Sequence, residues 1–477
     1  MIQAQVHTRI DLSPFLIISP LTVQKHTHSR SSVNIKRARV EWKSSPIGNT
    51  TTMSVTPIHA CYYTNWAIYR PEPYKFTPDK VPIGLCTHIF YAFAAVNAAT
   101  FEARLTDDWS DVGLHNMEGI NNLRKKQPGL KTILSFGGWT ESQSGIYARL
   151  ASDPAKRATF VRTAWELANK HGFDGVDLDW EYPGAGDRAN FVAIIKELKA
   201  ASGGKLVTAA VTPNKEKIEA GYDVAGIEPN LDLLLVMTYD FHGGWEQTIG
   251  HVAAYSEATA AMDFWASKGF PKSKLVMGIA AYGRGWQANT CVKGGSTTGL
   301  APAGPFTREA GIASYFELLK FGGTSIDTPE GPYLETTING ARVCYGYDDR
   351  NAVLKKMSFI KDRGFAGAFT WTIDFDAIDF TVHKAIVEGL GISPPLPLPT
   401  PAPGPGPRPE TTTTRATRLP TPPPEPAGGS CSLGEIRGNS DPTKYEECVH
   451  GAWMVRDCPP GTIFDEETKN FKLPSGK

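Results

Sequence analysis

Residues 173–184 read FDGVDLDWEYPG, and the spacing of the acids in this stretch decides how the chain is read. Asp174, Asp177, Asp179 and Glu181 place four carboxylates within eight residues, three of them at intervals of two inside an apolar run. Side chains alternate faces along a strand, so Asp177, Asp179 and Glu181 share one face while Val176, Leu178 and Trp180 take the other. A solvated acidic strand would not carry Trp180 among its acids. A row at strand spacing also offers a divalent cation poor octahedral geometry. Acids about 6.6 Å apart along a strand, at about 3.3 Å rise per residue, are close enough to share protons. Like charges so placed do not all ionise, and Glu181, nearest the strand's carboxyl end, is expected to be a protonated acid at neutral pH.

The run is one of eight strand-like apolar segments: HACYYTNW from 59, THIFYAFAAV from 87, KTILSFGGW from 131, GVDLDWE from 175, LVTAAVT from 206, LDLLLVMTYDF from 231, LVMGIAAYG from 275 and GAFTWTIDF from 367. Helical patterns separate them. In SDPAKRATFVRTAWELANKHG, Ser152 or Asp153 caps the start, Pro154 suits the first turn and Gly172 ends the helix. Strand followed by helix, repeated, implies parallel pairing and an α/β fold. Eight such units predict a closed (β/α)8 TIM barrel, with residues 285–350 accommodated as an α+β insertion after strand 7. A doubly wound open sheet is the alternative. In the barrel the acidic row climbs the interior towards the carboxyl ends of the strands, where barrel enzymes keep their chemistry.

At 477 residues the chain exceeds one ordinary domain. The reading divides it into a disordered basic extension (1–57), the barrel (58–390), a Pro/Thr-rich linker (391–429) and a small cysteine-containing β module (430–477). The linker cannot bury a core and is expected to be an extended spacer; its Thr411 to Thr414 run suits O-linked sugars. Lys plus Arg and Asp plus Glu are equal at 49 each, which leaves no field for a polyanion and argues against nucleic acid. No run approaches the roughly 18 apolar residues needed to cross a bilayer, and Leu12 to Val23 is broken by two prolines, so no membrane association is expected. The seven cysteines lack the spacing of metal-ligand pairs and suggest disulfides in an oxidising compartment. Secretion is expected on that ground, since the first residues make a poor secretory signal.

The acidic run matches the DxxDxDxE signature of family 18 glycoside hydrolases, and the chain resembles animal-type chitinases through CYYTNWAIYR at 61, CTHIFYAFA at 86, KTILSFGGW at 131, MTYDFHGGWE at 237, MGIAAYGR at 277, GPFTREAG at 304 and GAFTWTIDFD at 367. The resemblance covers residues 59–390 in order and implies a retaining, substrate-assisted, endo-acting chitinase. It implies that Glu181 protonates the glycosidic oxygen, Asp179 supports the substrate's acetamide, Asp177 modulates Asp179, and Tyr239 aligns the acetamide oxygen. It also implies sugar contacts from Asp240 and Arg284, pocket-lining positions at Met237 and Tyr282, a floor at Trp371, and cleft positions at Tyr62, Trp139 and Trp245. Trp66, Tyr69 and Trp286 are read as packing, and Asp174 as structural support. Chitin or chito-oligosaccharides are the expected partner of a monomer that needs no cofactor or metal.

The resemblance implies a Cys61–Cys86 disulfide. The family's second bridge is missing, with Leu319 where one cysteine is expected and none near Phe380; Cys291 and Cys344 bracket the insertion and are expected to pair there. The tail, DPTKYEECVHGAWMVRDCPPGTIFDEETKN from 441, resembles a peritrophin-type (family 14) chitin-binding module. It carries only Cys431, Cys448 and Cys458, with Phe471 where another cysteine is expected, so an incomplete module is expected, with Cys431 paired to Cys448. Two rival readings remain. A non-catalytic chitin-binding lectin of the same fold typically replaces the last acid of the signature, whereas Glu181 is intact; an endo-β-N-acetylglucosaminidase acting on N-glycans is the other.

Overall fold

The computed structural model describes residues 57–392 and, in the tail, 436–439, 441, 444–449, 452–457, 463–465 and 470–472. The chain forms two units, Met1–Leu398 and Pro399–Lys477. The extension expected over 1–57 lies, apart from its last residue, outside the described residues, as do linker residues 393–429.

In the first unit eight parallel strands close on themselves: β1 (Ile58–Thr64), β2 (His88–Val96), β3 (Lys131–Gly137), β4 (Gly175–Asp179), β5 (Leu206–Val211), β6 (Leu233–Val236), β7 (Leu275–Ala280) and β8 (Gly367–Trp371). Each pairs with the next, and β1 pairs with both β2 and β8, which closes the ring as expected for the (β/α)8 barrel. A short strand, Ala103–Leu105, adds antiparallel to β2. Parallel strands are buried on both faces, which is why they read as nearly unbroken apolar runs.

Helices return the chain between strands. α1 (Pro154–Lys170) begins at Asp153, whose side chain accepts from the Ala155 and Lys156 amides, and the chain leaves it through Gly172 at φ +79°. α2 (Arg188–Ala200), α3 (Tyr255–Ser267), α4 (Arg350–Arg363) and α5 (Thr381–Leu390) complete the main layer. The alternation along β4 holds: Val176, Leu178 and Trp180 join one apolar layer with Phe160 and Ala164 of α1 and Phe191 of α2. The inward residues form a second cluster that includes Tyr62, Phe90, Ile133, Leu235, Met237 and Phe369.

The insertion starts at Tyr282, three residues earlier than the expected 285. Its strands Tyr282–Gln287, Ala341–Tyr347, Tyr333–Ile338 and Thr324–Ile326 form an antiparallel sheet, with Gly299–Leu300 and Ile312–Ser314 against the first of them and a helix at Tyr315–Phe321. Two disulfides are present among the described residues, Cys61–Cys86 and Cys291–Cys344, both as expected. Leu319, at the missing bridge, is exposed.

In the second unit Ile436–Gly438, Lys444–Val449 and Ala452–Asp457 make a three-stranded antiparallel sheet, and Ile463–Asp465 pairs with Asn470–Lys472. The expected β module is therefore visible, but Cys431, the side chain of Cys448 and their pairing lie outside the described residues. No helix among the described residues is long and apolar enough to cross a membrane.

Candidate active site

The carboxyl ends of the barrel strands open into a groove of about 1960 Å³, larger than the 300–1,000 Å³ of an ordinary small-molecule pocket. Its size suits a chain of rings. Asp179 and Glu181 line it, and Asp177 lies beneath them, fully buried.

Asp177 is held by hydroxyls alone. Tyr62 Oη and Ser135 Oγ donate to its Oδ2 at 2.9 and 2.6 Å, and Thr208 Oγ1 donates to Oδ1 at 2.6 Å. Burial raises its pKa and these three bonds oppose the rise. Asp179, 3% exposed, is pushed well above the usual carboxylate range by burial first, then by Glu181 and Asp177. Its Oδ1 has no hydrogen-bond partner among the described residues. Glu181, partly open to the groove, is pushed up to about 7, by burial foremost and by Asp240, against a hydrogen bond from Tyr182 and the charge of Lys217.

The turn after β3 fixes the end of this row. Gly137, at φ +126°, passes so close to β4 that a Cβ would stand 2.0 Å from the Asp179 carbonyl oxygen; only glycine fits. Gly138 N–H donates to that carbonyl at 2.9 Å. Ser142 Oγ accepts from the Glu181 N–H at 2.9 Å, and Gln143 Nε2 donates to the Glu181 carbonyl at 3.2 Å. The backbone of Glu181 is thus held on both sides by the turn that also carries Trp139.

The wall beyond β6 belongs to Tyr239, Asp240 and Trp245. Burial keeps the Tyr239 phenol far above its ordinary pKa, so it remains a hydrogen-bond donor. Its ring packs on Tyr282 and Phe369. Asp240 adopts φ +55°, a left-handed conformation that Asp tolerates better than most residues. There it accepts from Tyr282 Oη at 2.8 Å and from Arg284 Nε and Nη2, each at 2.8 Å. The Arg284 guanidinium also lies 5.2 Å from the Trp245 ring centroid. Met237 and Trp371 complete the lining, with Trp371 stacked on Phe93 at 5.7 Å.

Of the twelve expected site residues, ten line the groove and Asp177 lies beneath it. Tyr62 departs from expectation. It is 1% exposed and lies under Trp371 with its hydroxyl committed to Asp177, so it supports the acids and forms no part of the cleft wall. Trp66 and Tyr69 depart in the other direction: both are exposed and line the groove, whereas Trp286 is buried as packing. Both missed rings lie within five residues of the carboxyl end of β1, the position that could have flagged them. Ser142 and Gln143 had no signal beyond a polar turn after GGW. Asp174 is structural, as read: it accepts from Arg124 Nη1 at 2.9 Å and from the Thr132 N–H at 2.9 Å.

A family profile described as "Glycosyl hydrolases family 18" matches residues 58–376, and one described as "Carbohydrate binding domain (family 19)" matches 410–468. The second match shows a carbohydrate-binding module in the tail. A "Probable endochitinase" of Caenorhabditis elegans is 39% identical over 353 residues, covering 67% of this chain and 56% of that one. The chain thus spans little more than half the length of that relative. An "Endochitinase" of Brugia malayi is 37% identical over 369 residues, covering 70% of this chain and 71% of that one. Among solved structures, catalytic domain 2 of the Ostrinia furnacalis Group II chitinase superposes with a TM-score of 0.67 at 31% identity, covering 72% of this chain and 99% of that one.

Proposed function

The chain belongs to glycosyl hydrolase family 18, and on that premise we propose that it is an endo-acting chitinase, cleaving β-1,4 bonds between N-acetylglucosamine units with retention of configuration. The observation that carries this reading is Glu181: an intact carboxyl at the open end of the acidic row, with a pKa near 7, facing a groove floored by Trp371.

The chemistry follows from that placement. A sugar stacked on Trp371 presents its glycosidic oxygen to protonated Glu181, which acts as general acid. The acetamido carbonyl of the same sugar attacks the anomeric carbon, so no protein nucleophile is required, and an oxazolinium forms. Asp179 Oδ1, without another partner among the described residues, takes the acetamide N–H and offsets the positive charge that develops there. Tyr239 donates to the acetamide oxygen and holds it in line. Glu181, now a carboxylate, takes a proton from the water that opens the ring on the same face. Asp177 sets the protonation of Asp179 from below. Asp240, Arg284, Trp245, Trp139, Met237 and Tyr282 bind neighbouring sugars, and aromatic faces suit the apolar faces of β-linked rings.

The carbohydrate-binding tail would hold the enzyme on its insoluble polymer. Chitin as the tail's ligand, by a peritrophin-like arrangement of Cys431, Cys448 and Cys458, belongs to this proposal, as do secretion and a monomeric state. Two disulfides among the described residues support an oxidising compartment.

The deciding experiment is hydrolysis of a chromogenic chitotrioside, with product anomers followed by NMR. Initial release of the β-anomer is expected. Binding of the oligomer by folded protein without release would favour the lectin reading.

A further inference from the structure

A second cluster of reactive side chains lies on the outer side of the barrel wall, where the ring closes. His59 and Cys61 stand two apart on β1, Thr370 sits opposite Cys61 on β8, and His383 comes from α5. All four are fully buried. His59 Nε2 lies 3.7 Å from Cys61 Sγ, and one nitrogen from each histidine and this sulfur fall within 4.8 Å of one another.

Both imidazoles are oriented from behind. His59 Nδ1 donates to the Leu85 carbonyl oxygen at 2.7 Å, and His383 Nδ1 donates to Asp376 Oδ2 at 2.6 Å. These partners assign the proton to Nδ1 on each ring and leave Nε2 as a lone pair on each. Ligating histidines are held in this way, with the second nitrogen committed to a carbonyl or carboxylate. His59 Nε2 meets only the Thr370 hydroxyl, at 3.1 Å, apart from the sulfur. His383 Nε2 has no hydrogen-bond partner among the described residues, a costly condition for a buried polar atom.

Cys61 is bonded to Cys86, also buried. We propose that reduction of this bridge converts the seam into a CysHis2 metal site, taking zinc or a similar borderline divalent ion through His59 Nε2, His383 Nε2 and the thiolate of Cys61, with a further position left open. A dithiol reductant supplies two electrons and two protons, the S–S bond breaks, and the reductant leaves as its own disulfide. The metal then displaces the Cys61 thiol proton, and the Cys86 thiol keeps its own. Tetrahedral zinc, with bonds of about 2.1 Å to nitrogen and about 2.3 Å to sulfur, sets those two atoms about 3.6 Å apart. The 3.7 Å between His59 and Cys61 meets that requirement. The intact bridge withholds the Cys61 sulfur, so binding is gated by redox state. The inference is independent of the proposed sugar chemistry.

The test is cobalt(II) titration of the full-length protein reduced with a phosphine, reading thiolate-to-cobalt absorption, followed by zinc displacement. Wild type is expected to bind one more equivalent of thiolate-ligated cobalt than His383→Gln. Zinc is expected to displace that cobalt and to raise the Tm of reduced wild type above that of the metal-free reduced protein. The other six of the seven cysteines are common to both proteins, so the difference isolates this site. Cys86→Ser frees Cys61 without any reductant and is expected to ligate cobalt through one thiolate, a signal lost when His383→Gln is added. Equal cobalt spectra in reduced wild type and His383→Gln would overturn the proposal. If His383→Gln does not fold, absence of a thiolate band in folded Cys86→Ser overturns it.

Discussion

The main-chain N–H of Glu181 donates to Ser142 Oγ across 2.9 Å, so the residue proposed to move the proton hangs from a side chain on the neighbouring β3 turn. Ser142→Ala removes that acceptor and leaves a partly buried N–H unpaired, a change of about 1 kcal/mol, or roughly fivefold. The expected result is a severalfold fall in kcat on chitotrioside with KM unchanged. A matching rise in KM alone would show that the contact serves binding instead.

Glu181→Gln keeps the shape and removes the proton. Loss of general acid catalysis costs about 10²- to 10⁴-fold in kcat. Oligosaccharide binding measured by calorimetry is expected to persist in the variant, which separates chemistry from folding.

The elevated pKa of Glu181, about 7, also fixes two pH dependences. The acid must be protonated to donate, so kcat/KM is expected to fall as pH rises through about 7. For stability, a carboxyl whose folded pKa is raised binds its proton more tightly in the folded state. Its contribution is complete below the unfolded value near 4.5 and is lost as pH climbs through about 7. Glu181→Gln, which cannot ionise, is therefore expected to melt above wild type at pH 8, with the difference shrinking towards pH 5. Equal melting temperatures at pH 8 would contradict the burial argument.

Tyr62→Phe deletes one of the three donors to Asp177 without altering the groove surface. Hydrogen bonds to charged groups are worth about 1.5–3 kcal/mol. A fall in kcat of about tenfold or more is expected, with little change in oligosaccharide affinity. A change confined to affinity would return Tyr62 to the cleft.

Arg284→Lys exchanges a fork for a point charge. The paired 2.8 Å bonds to Asp240 and the contact with the Trp245 ring both depend on the planar guanidinium. KM for longer oligosaccharides is expected to rise about tenfold, read from initial rates on substrates of increasing length.

Much of this was legible because the period of a strand is two. That parity alone assigned Val176, Leu178 and Trp180 to the helix-facing layer and the acids to the interior. It could not give depth along the barrel. Tyr62 and Trp371 both reach inward, yet only Trp371 reaches the groove. Loops after strands hide more. Trp66 and Tyr69 lie beyond the end of β1, where no periodicity assigns a face, and the Ser142 and Gln143 contacts depend on how one turn folds across another strand. The start of the insertion was misplaced because Tyr282 begins a new strand almost directly after β7, leaving no turn residues to mark the change.

The three donors around Asp177 are all hydroxyls, and a hydroxyl is indifferent to direction. A lysine or arginine there would reward one charge state and resist the other. Tyr62, Ser135 and Thr208 donate while Asp177 is a carboxylate, and a rotation about one C–O bond turns a donor into an acceptor when a proton arrives. The base of the acidic row can thus accept either charge state of Asp177 through the same three partners. Such a rotation obliges no heavy atom to move.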